Sequence, residues 1–158
     1  NVQATQEDKD RWLVEKNEDY LNYITHMQAD EILEGVVAVL EFLKANGQGI
    51  ALGSASKNAR PILEKVNVLH FIDAIVDGND VANAKPDPEV FLRAAQMLGA
   101  NPADAIVFED AVAGLQAANS AGMVSIGIGD KNILHEAQYN FNDFTAINDD
   151  FLRTLINN

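Results

Sequence analysis

Hydrophobic positions change their spacing along the chain, and the first two segments both predict helices. From about Gln6 to Met27 the pattern is polar with an intermittent apolar stripe, and Thr5 followed by Asp8 is close to a capping box. A second helix is predicted from Asp30 or Glu31 to Asn46, where apolar residues recur at three- and four-residue spacings before Gly47. The first segment is typical of a helical appendage, and the second of a helix that packs on a sheet.

Four short apolar runs then predict strands that are buried on both faces, namely Gly49–Gly53, Phe71–Val76, Ala105–Phe108 and Met123–Ile128. Helices are predicted between these strands and at the end of the chain, at about 58–66, 88–98, 111–121 and 149–156. Asp87 is predicted to be the N-cap of the second of these helices, with Pro88 at its first position. Strands alternating with helices predict an α/β fold with a parallel sheet and a ligand site at the strands' carboxyl ends.

The composition fits one globular core. A chain of 158 residues with 47% hydrophobic content can bury one substantial core. No apolar stretch approaches the roughly 20 residues that span a bilayer, and no leading segment has the pattern of a signal peptide. Cysteine is absent, which fits a reducing compartment. We therefore expect a soluble, cytoplasmic protein without a membrane partner.

The charge balance argues against a polyanionic partner. Eleven Lys and Arg residues against 24 Asp and Glu residues give a net charge of −13, which repels nucleic acid. The same field opposes a small phosphate ester. A phosphate site in this chain must therefore carry its own cations or a metal ion.

Polar side chains follow the predicted strands at three places. Ser54 ends the first apolar run, Lys85 precedes a helix, and Glu109 with Asp110 directly follows the third run. Because the carboxyl ends of parallel strands meet at one edge, we expect these groups to converge. A hydroxyl, an ammonium and two carboxylates around a hard cation such as Mg²⁺ suit the transfer of a phosphoryl group.

Each of these residues also has a purely structural interpretation. Asp110 can be the N-cap of the helix that follows it, and Ser54 an ordinary loop hydroxyl. Lys85 can be a solvated loop charge, and Lys16 on the first helix can decorate the surface. Three histidines lack metal-ligand spacing and are treated as non-functional: His26, His70 and His135.

Taken together, the segments resemble the haloacid dehalogenase superfamily. Ser54, the run Lys85-Pro86-Asp87-Pro88 and the run from Phe108 to Gly114 are similar to its second, third and fourth motifs, in order and approximate spacing. Within that superfamily, the run from Ala51 to Asn58 is similar to the form found in β-phosphoglucomutases. Residues 16–20, Lys-Asn-Glu-Asp-Tyr, are similar to a cap-domain segment of those enzymes.

The resemblance implies a Rossmann-like, three-layer core with a helical cap. Residues 1–28 would be the last part of the cap, and residues 29–158 the core. In such enzymes a nucleophilic Asp takes up a phosphoryl group beside Mg²⁺, and a second Asp two residues later acts as general acid and base.

The resemblance also implies roles for individual residues. Ser54 and the backbone N–H of Ala55 would bind the transferring phosphoryl oxygens, Lys85 would link the phosphoryl group to the nucleophile, and Glu109 with Asp110 would hold Mg²⁺. Lys57 and Asn58 would meet the second, non-transferring phosphate of a sugar bisphosphate, and Ser56 would also bind substrate. Lys16 would approach the sugar phosphate from the cap.

The superfamily's first motif, Asp-x-Asp-Gly, has no match in these 158 residues. We therefore expect a carboxyl-terminal fragment that lacks the first strand and the nucleophile, that is inactive alone, and whose partner is the N-terminal segment of the same protein. Three functions remain open for the parent protein: a β-phosphoglucomutase, a sugar-phosphate phosphatase, and a binding domain without catalytic activity. The sequence does not fix whether the Lys85–Pro86 bond is cis or trans.

Overall fold

The computed structural model describes residues 5–156, without the side chain of residue 10. This part of the chain contains six α-helices and five strands. The helices are α1 (Gln6–His26), α2 (Val36–Ala45), α3 (Ala59–Lys65), α4 (Glu89–Leu98), α5 (Val112–Ser120) and α6 (Asp149–Ile156). The strands are β1 (Ala51–Gly53), β2 (Ala74–Val76), β3 (Ile106–Glu109), β4 (Val124–Ile128) and β5 (Tyr139–Phe141). From α2 to β4, helices and strands alternate as the sequence predicts.

The predicted start of α1 is confirmed, and that of α2 is wrong. Thr5 and Asp8 form the reciprocal capping box at the start of α1. The α2 helix begins at Val36, because residues 29–31 form a separate 3₁₀ turn and Gly35 adopts a left-handed φ of 86°. A Cβ on Gly35 would lie 2.6 Å from the backbone carbonyl carbon of Phe144, so only glycine lets the two backbones approach this closely.

Three strand predictions need correction. The first strand begins at Ala51 instead of Gly49. The second strand begins at Ala74 instead of Phe71, because residues 69–71 form a 3₁₀ turn. The fifth strand, Tyr139–Phe141, was not predicted at all. It is three residues long and has no apolar run of its own, so only its pairing with β4 defines it.

The start of α4 is shifted by one residue from its prediction. The helix begins at Glu89, and Pro88 occupies the N-cap position. Asp87 nevertheless acts as a capping side chain, since its Oδ1 accepts a hydrogen bond from the backbone N–H of Glu89 at 2.9 Å. Such one-residue differences are ordinary at helix ends.

All strand pairings are parallel, as predicted, and they form two sheets. One sheet contains β1 and β2, and the other contains β3, β4 and β5 in that order. Helices α4 and α5 cover one face, where Val76 and Phe91 lie in one buried cluster. Val39 of α2 and Leu152 of α6 belong to a second cluster with Ile126 of β4. The result is a three-layer α/β core.

A groove of about 440 Å³ separates the two sheets. Its walls include all of Ala51–Gly53 and all of Ile106–Glu109, together with apolar side chains of α2, α4 and α6. Within residues 5–156, β1 pairs only with β2 and β3 pairs only with β4. Each of these two strands therefore has an unpaired edge on the same groove.

The α1 helix contacts α3 beside the core. Ile24 is buried, and Lys65 of α3 donates a hydrogen bond to the backbone oxygen of Thr25 at 3.0 Å. Most of the remaining surface of α1 is exposed, including the apolar residues Trp12 and Leu13. No helix among residues 5–156 combines the length and the apolar character needed to cross a bilayer.

Candidate active site

The carboxyl ends of β1 and β3 are bridged by one lysine. Lys85 Nζ lies 2.8 Å from Glu109 Oε2 and 3.2 Å from the backbone oxygen of Gly53, and 4.6 Å above the ring of Phe91. The side chains of Lys85 and Glu109 are only 14% and 10% exposed. The ammonium is therefore fixed at the rim where both sheets end, on a loop whose Lys85–Pro86 bond is cis.

The position of Glu109 depends on a glycine of α5. A Cβ on Gly114 would lie 2.0 Å from Glu109 Cδ and 2.4 Å from its Oε1. Glycine is thus the only residue at position 114 that leaves this space to the carboxylate. The carboxylate of Glu109 therefore packs directly against the backbone of α5 at Gly114.

The N-cap interpretation of Asp110 is wrong. Ala111 occupies the N-cap position of α5, no side chain caps that helix, and Asp110 is exposed. Across residues 5–156, no group of three or more His, Cys, Asp or Glu side chains could enclose a metal ion. Two neighbouring carboxylates still fit Mg²⁺, which typically takes one or two carboxylates and fills its other positions with water and phosphate oxygens.

The loop after β1 is ordered by its own hydroxyl groups. Ser54 N donates to the backbone oxygen of Val76 at 2.9 Å, and Ser54 Oγ accepts from Ser56 N at 3.1 Å. Ser56 Oγ accepts in turn from Asn58 N, also at 3.1 Å. A Cβ on Gly78 would lie 2.6 Å from the backbone oxygen of Ala55. The loop after β1 therefore packs directly against the backbone of the loop after β2.

A pocket of about 170 Å³ lies between the two loops. Ser54, Ala55 and Lys85 line it together with Gly78, residues 81–84 and Val90. The structure thus brings together the hydroxyl, the ammonium and, through the Lys85 ion pair, the carboxylate of Glu109. Five other candidate residues line neither this pocket nor the groove: Lys16, Ser56, Lys57, Asn58 and Asp110.

One carboxylate beside the site was missed by the sequence reasoning. Glu89 accepts hydrogen bonds from the backbone N–H groups of Ala82 and Asn83, at 3.0 and 2.9 Å. The pKa of Glu89 lies below its ordinary value. The hydrogen bond from Ala82 N–H is the largest cause, the bond from Asn83 N–H is the next, and Arg93 makes a smaller contribution. The sequence offered no signal for Glu89, because an acid in a first helical turn is common for other reasons.

The family follows from comparison of the sequence with known proteins. A family model described as haloacid dehalogenase-like hydrolase matches residues 2–122, which is more than half of the chain. The chain belongs to this family. The resemblance expected from the three motifs is therefore confirmed, as is the Rossmann-like α/β fold.

Members of the haloacid dehalogenase-like family with different activities are similar to this chain. The β-phosphoglucomutase of Bacillus subtilis is 40% identical over 125 residues, covering 79% of this chain and 55% of that protein. A fructose-1-phosphate phosphatase of Escherichia coli is 39% identical over 79 residues, covering 50% of this chain and 42% of that protein. The chain thus spans about half the length of these curated relatives.

A solved structure from the family matches nearly the whole chain. The crystal structure of a β-phosphoglucomutase from Clostridium difficile superposes with a TM-score of 0.89 at 35% sequence identity. The match covers 97% of this chain and 69% of that one. The chain is therefore similar to family members that transfer or hydrolyse phosphoryl groups.

Proposed function

We propose that the parent protein of this chain is a β-phosphoglucomutase, which interconverts β-glucose 1-phosphate and glucose 6-phosphate through an aspartyl phosphate and a bisphosphate intermediate. The observation that carries the proposal is the position of Lys85, which contacts Glu109 and also lines the pocket of Ser54. The 40% identity to the B. subtilis mutase across 79% of the chain supports the choice of reaction.

Ser54 is suited to bind a phosphoryl oxygen. Its Oγ accepts the hydrogen bond from Ser56 N, so the hydroxyl proton remains available for donation into the pocket. The backbone N–H of Ala55 would be a second donor. Lys85 supplies the local positive charge that a phosphate requires in a chain of net charge −13.

Glu109 and Asp110 would hold Mg²⁺. Lys85 occupies Glu109 Oε2, which leaves Oε1 and the exposed Asp110 carboxylate for a cation. When bound, Mg²⁺ would neutralise charge on the phosphoryl oxygens. The two roles of Glu109 are compatible, because one carboxylate has lone pairs for both partners.

The remaining substrate contacts are proposed from the family pattern. Lys57 and Asn58 would meet the second phosphate of the bisphosphate intermediate, and Ser56 would also bind substrate. Lys16 would approach the sugar phosphate when the cap closes, which would also exclude water until the intermediate has reoriented.

The nucleophilic Asp would come from a segment outside these 158 residues. We propose that this segment fills the groove as an extended strand between β1 and β3, because both edges there are unpaired and the walls are largely apolar. Its carboxyl end would then lie beside Lys85. Hydrogen exchange of the Ala51–Gly53 and Ile106–Glu109 amides should be slower in the full-length protein than in the 158-residue chain, and equal rates would contradict the proposal.

The reaction is tested on the full-length protein with β-glucose 1-phosphate, a bisphosphate primer and Mg²⁺. Formation of glucose 6-phosphate, abolished by Ser54→Ala, supports the mutase. Release of inorganic phosphate without isomerised product selects a sugar-phosphate phosphatase, an alternative that the 39% identity to the E. coli phosphatase favours. Neither product, with sugar phosphate still bound, would indicate a binding domain.

A further inference from the structure

Glu89 is the first residue of α4, and its carboxylate accepts hydrogen bonds from the preceding loop instead of from its own helix. Oε1 accepts from Ala82 N at 3.0 Å, and Oε2 accepts from Asn83 N at 2.9 Å and from Asn83 Nδ2 at 3.4 Å. The side chain is 24% exposed. One carboxylate therefore fixes two successive backbone groups of the loop that leads to Lys85.

Helix capping does not explain this arrangement. The first N–H of α4, that of Glu89 itself, already receives a side-chain acceptor from Asp87 at 2.9 Å. The Glu89 carboxylate reaches instead to residues that precede it by six and seven positions. Its bonds join the helix to the wall of the small pocket, to which Ala82, Asn83 and Lys85 all belong.

Arg93, one turn further along α4, extends the same attachment. Its guanidinium lies 3.6 Å from Glu89 Oε1 and also donates to the backbone oxygen of Asp80. Asp80 closes the turn after β2, since its Oδ2 accepts from Asp77 N at 2.8 Å. The loop is thus held to α4 at residues 80, 82 and 83, immediately before Lys85.

We propose that Glu89 is a positioning residue, which fixes residues 82 and 83 so that the Lys85 ammonium stays between Gly53 and Glu109 and faces the phosphate pocket. The inference rests on the proposed function, because it assumes that the pocket binds phosphate. Outer partners of metal ligands commonly change affinity or activity by about 10- to 100-fold without touching the substrate, and we expect an effect at the lower end of this range for a residue that positions a phosphate-binding lysine.

The test measures the affinity of the full-length protein for inorganic phosphate in the presence of Mg²⁺. Glu89→Gln retains the size of the side chain but replaces one acceptor oxygen by an NH₂ group that cannot accept. We expect it to weaken phosphate binding about tenfold. Glu89→Asp, which keeps both oxygens, should recover part of this loss, and Glu41→Gln on the exposed side of α2 is the matched control for lost charge.

A double-mutant cycle separates positioning from a general structural effect. If Glu89 acts through Lys85, then Glu89→Gln should weaken phosphate binding less than about twofold in a Lys85→Ala background. An undiminished tenfold loss in that background would overturn the inference, as would full affinity in Glu89→Gln alone. If Lys85→Ala itself leaves phosphate affinity unchanged, the proposed function fails instead.

Amide exchange provides a measurement independent of phosphate. In Glu89→Gln the amides of Ala82 and Asn83 should exchange faster, while those of α5 should be unchanged. Unaltered exchange at both amides would show that Glu89 does not hold the loop.

Discussion

Lys85 Nζ and Glu109 Oε2 form a largely buried ion pair at 2.8 Å, although 24 positions separate the two residues in sequence. Lys85 has two further partners, the backbone oxygen of Gly53 and the ring of Phe91. The pair ties the loop before α4 to the end of β3. Removing Glu109 therefore leaves Lys85 with two partners, whereas removing Lys85 leaves the Glu109 carboxylate without its cation.

Removing the lysine should cost more stability than neutralising the acid. Lys85→Met leaves the Glu109 carboxylate buried without its cation and should lower the free energy of unfolding by about 2–3 kcal/mol. Glu109→Gln should cost less, because Lys85 keeps Gly53 and Phe91. Denaturant titration measures both changes, and the double variant should lose less than the sum of the two.

The exposed pair of Lys44 and Asp73 provides the control. Its atoms approach to 2.6 Å, but the side chains are 34% and 42% exposed. Lys44→Met should therefore cost at most about 1 kcal/mol. Equal losses for the exposed and the buried pair would contradict the importance assigned to burial.

Gly114→Ala should destabilise the protein although alanine favours helices. In an open helix the change would gain about 1 kcal/mol, but the new Cβ would meet Glu109 Cδ at 2.0 Å. We expect a net loss of about 1–3 kcal/mol by denaturant titration, together with weaker Mg²⁺ binding in the full-length protein. In the control Gly49→Ala, the nearest atom is a Leu98 side-chain carbon at 3.4 Å, and stability should change little. A stabilised Gly114→Ala variant would show that Glu109 moves aside freely.

Asp73 should make stability dependent on pH in the acid range. Hydrogen bonds from Lys44 and from the backbone N–H of Ile50 hold its pKa below the ordinary value of 3.8. Because the folded pKa is lowered, the unfolded state binds more protons between the two values. The stabilisation is complete above a pH of about 5, where the unfolded state is ionised too, and it is lost as pH falls through the folded pKa.

Unfolding measured against pH tests this prediction with Asp73→Asn. In the unsubstituted chain the free energy of unfolding should fall with decreasing pH below a pH of about 4, and Asp73→Asn should make this decrease less steep. Asp19→Asn, on the exposed surface of α1, should leave that slope unchanged. The same slope in all three proteins would exclude Asp73 as its source.

Asp110 should matter for metal binding and little for stability. Because it is exposed and Ala111 is the N-cap of α5, Asp110→Asn should change the free energy of unfolding by less than about 0.5 kcal/mol. Replacing an N-cap Asp by alanine would lower the free energy of unfolding by about 1 kcal/mol. Asp110→Ala should show no such loss, because Asp110 does not cap α5. In the full-length protein, titration with Mg²⁺ should show a loss of affinity of about tenfold or more. A destabilised variant with unchanged Mg²⁺ affinity would restore the structural interpretation.

The sequence alone determined the alternation of helices and strands and the family. Apolar spacing is a local signal, so α1, β3, β4 and α6 could be located from short windows of sequence. Motifs around Ser54, Lys85 and Glu109 identified the family because each lies within a few residues of a predicted strand or helix. The start of α2 and the strand β5 could not be located in this way, since each depends on residues distant in sequence.

Tertiary structure decided which groups meet. The Lys85–Glu109 pair, the fit of Glu109 against Gly114 and the attachment of residues 82 and 83 by Glu89 are all contacts between side chains and partners on other elements. The division into two sheets with a groove between them likewise depends on pairing over long sequence separations. Local periodicity fixes how each segment folds, but only packing in three dimensions fixes which segments, and which of their polar atoms, become neighbours.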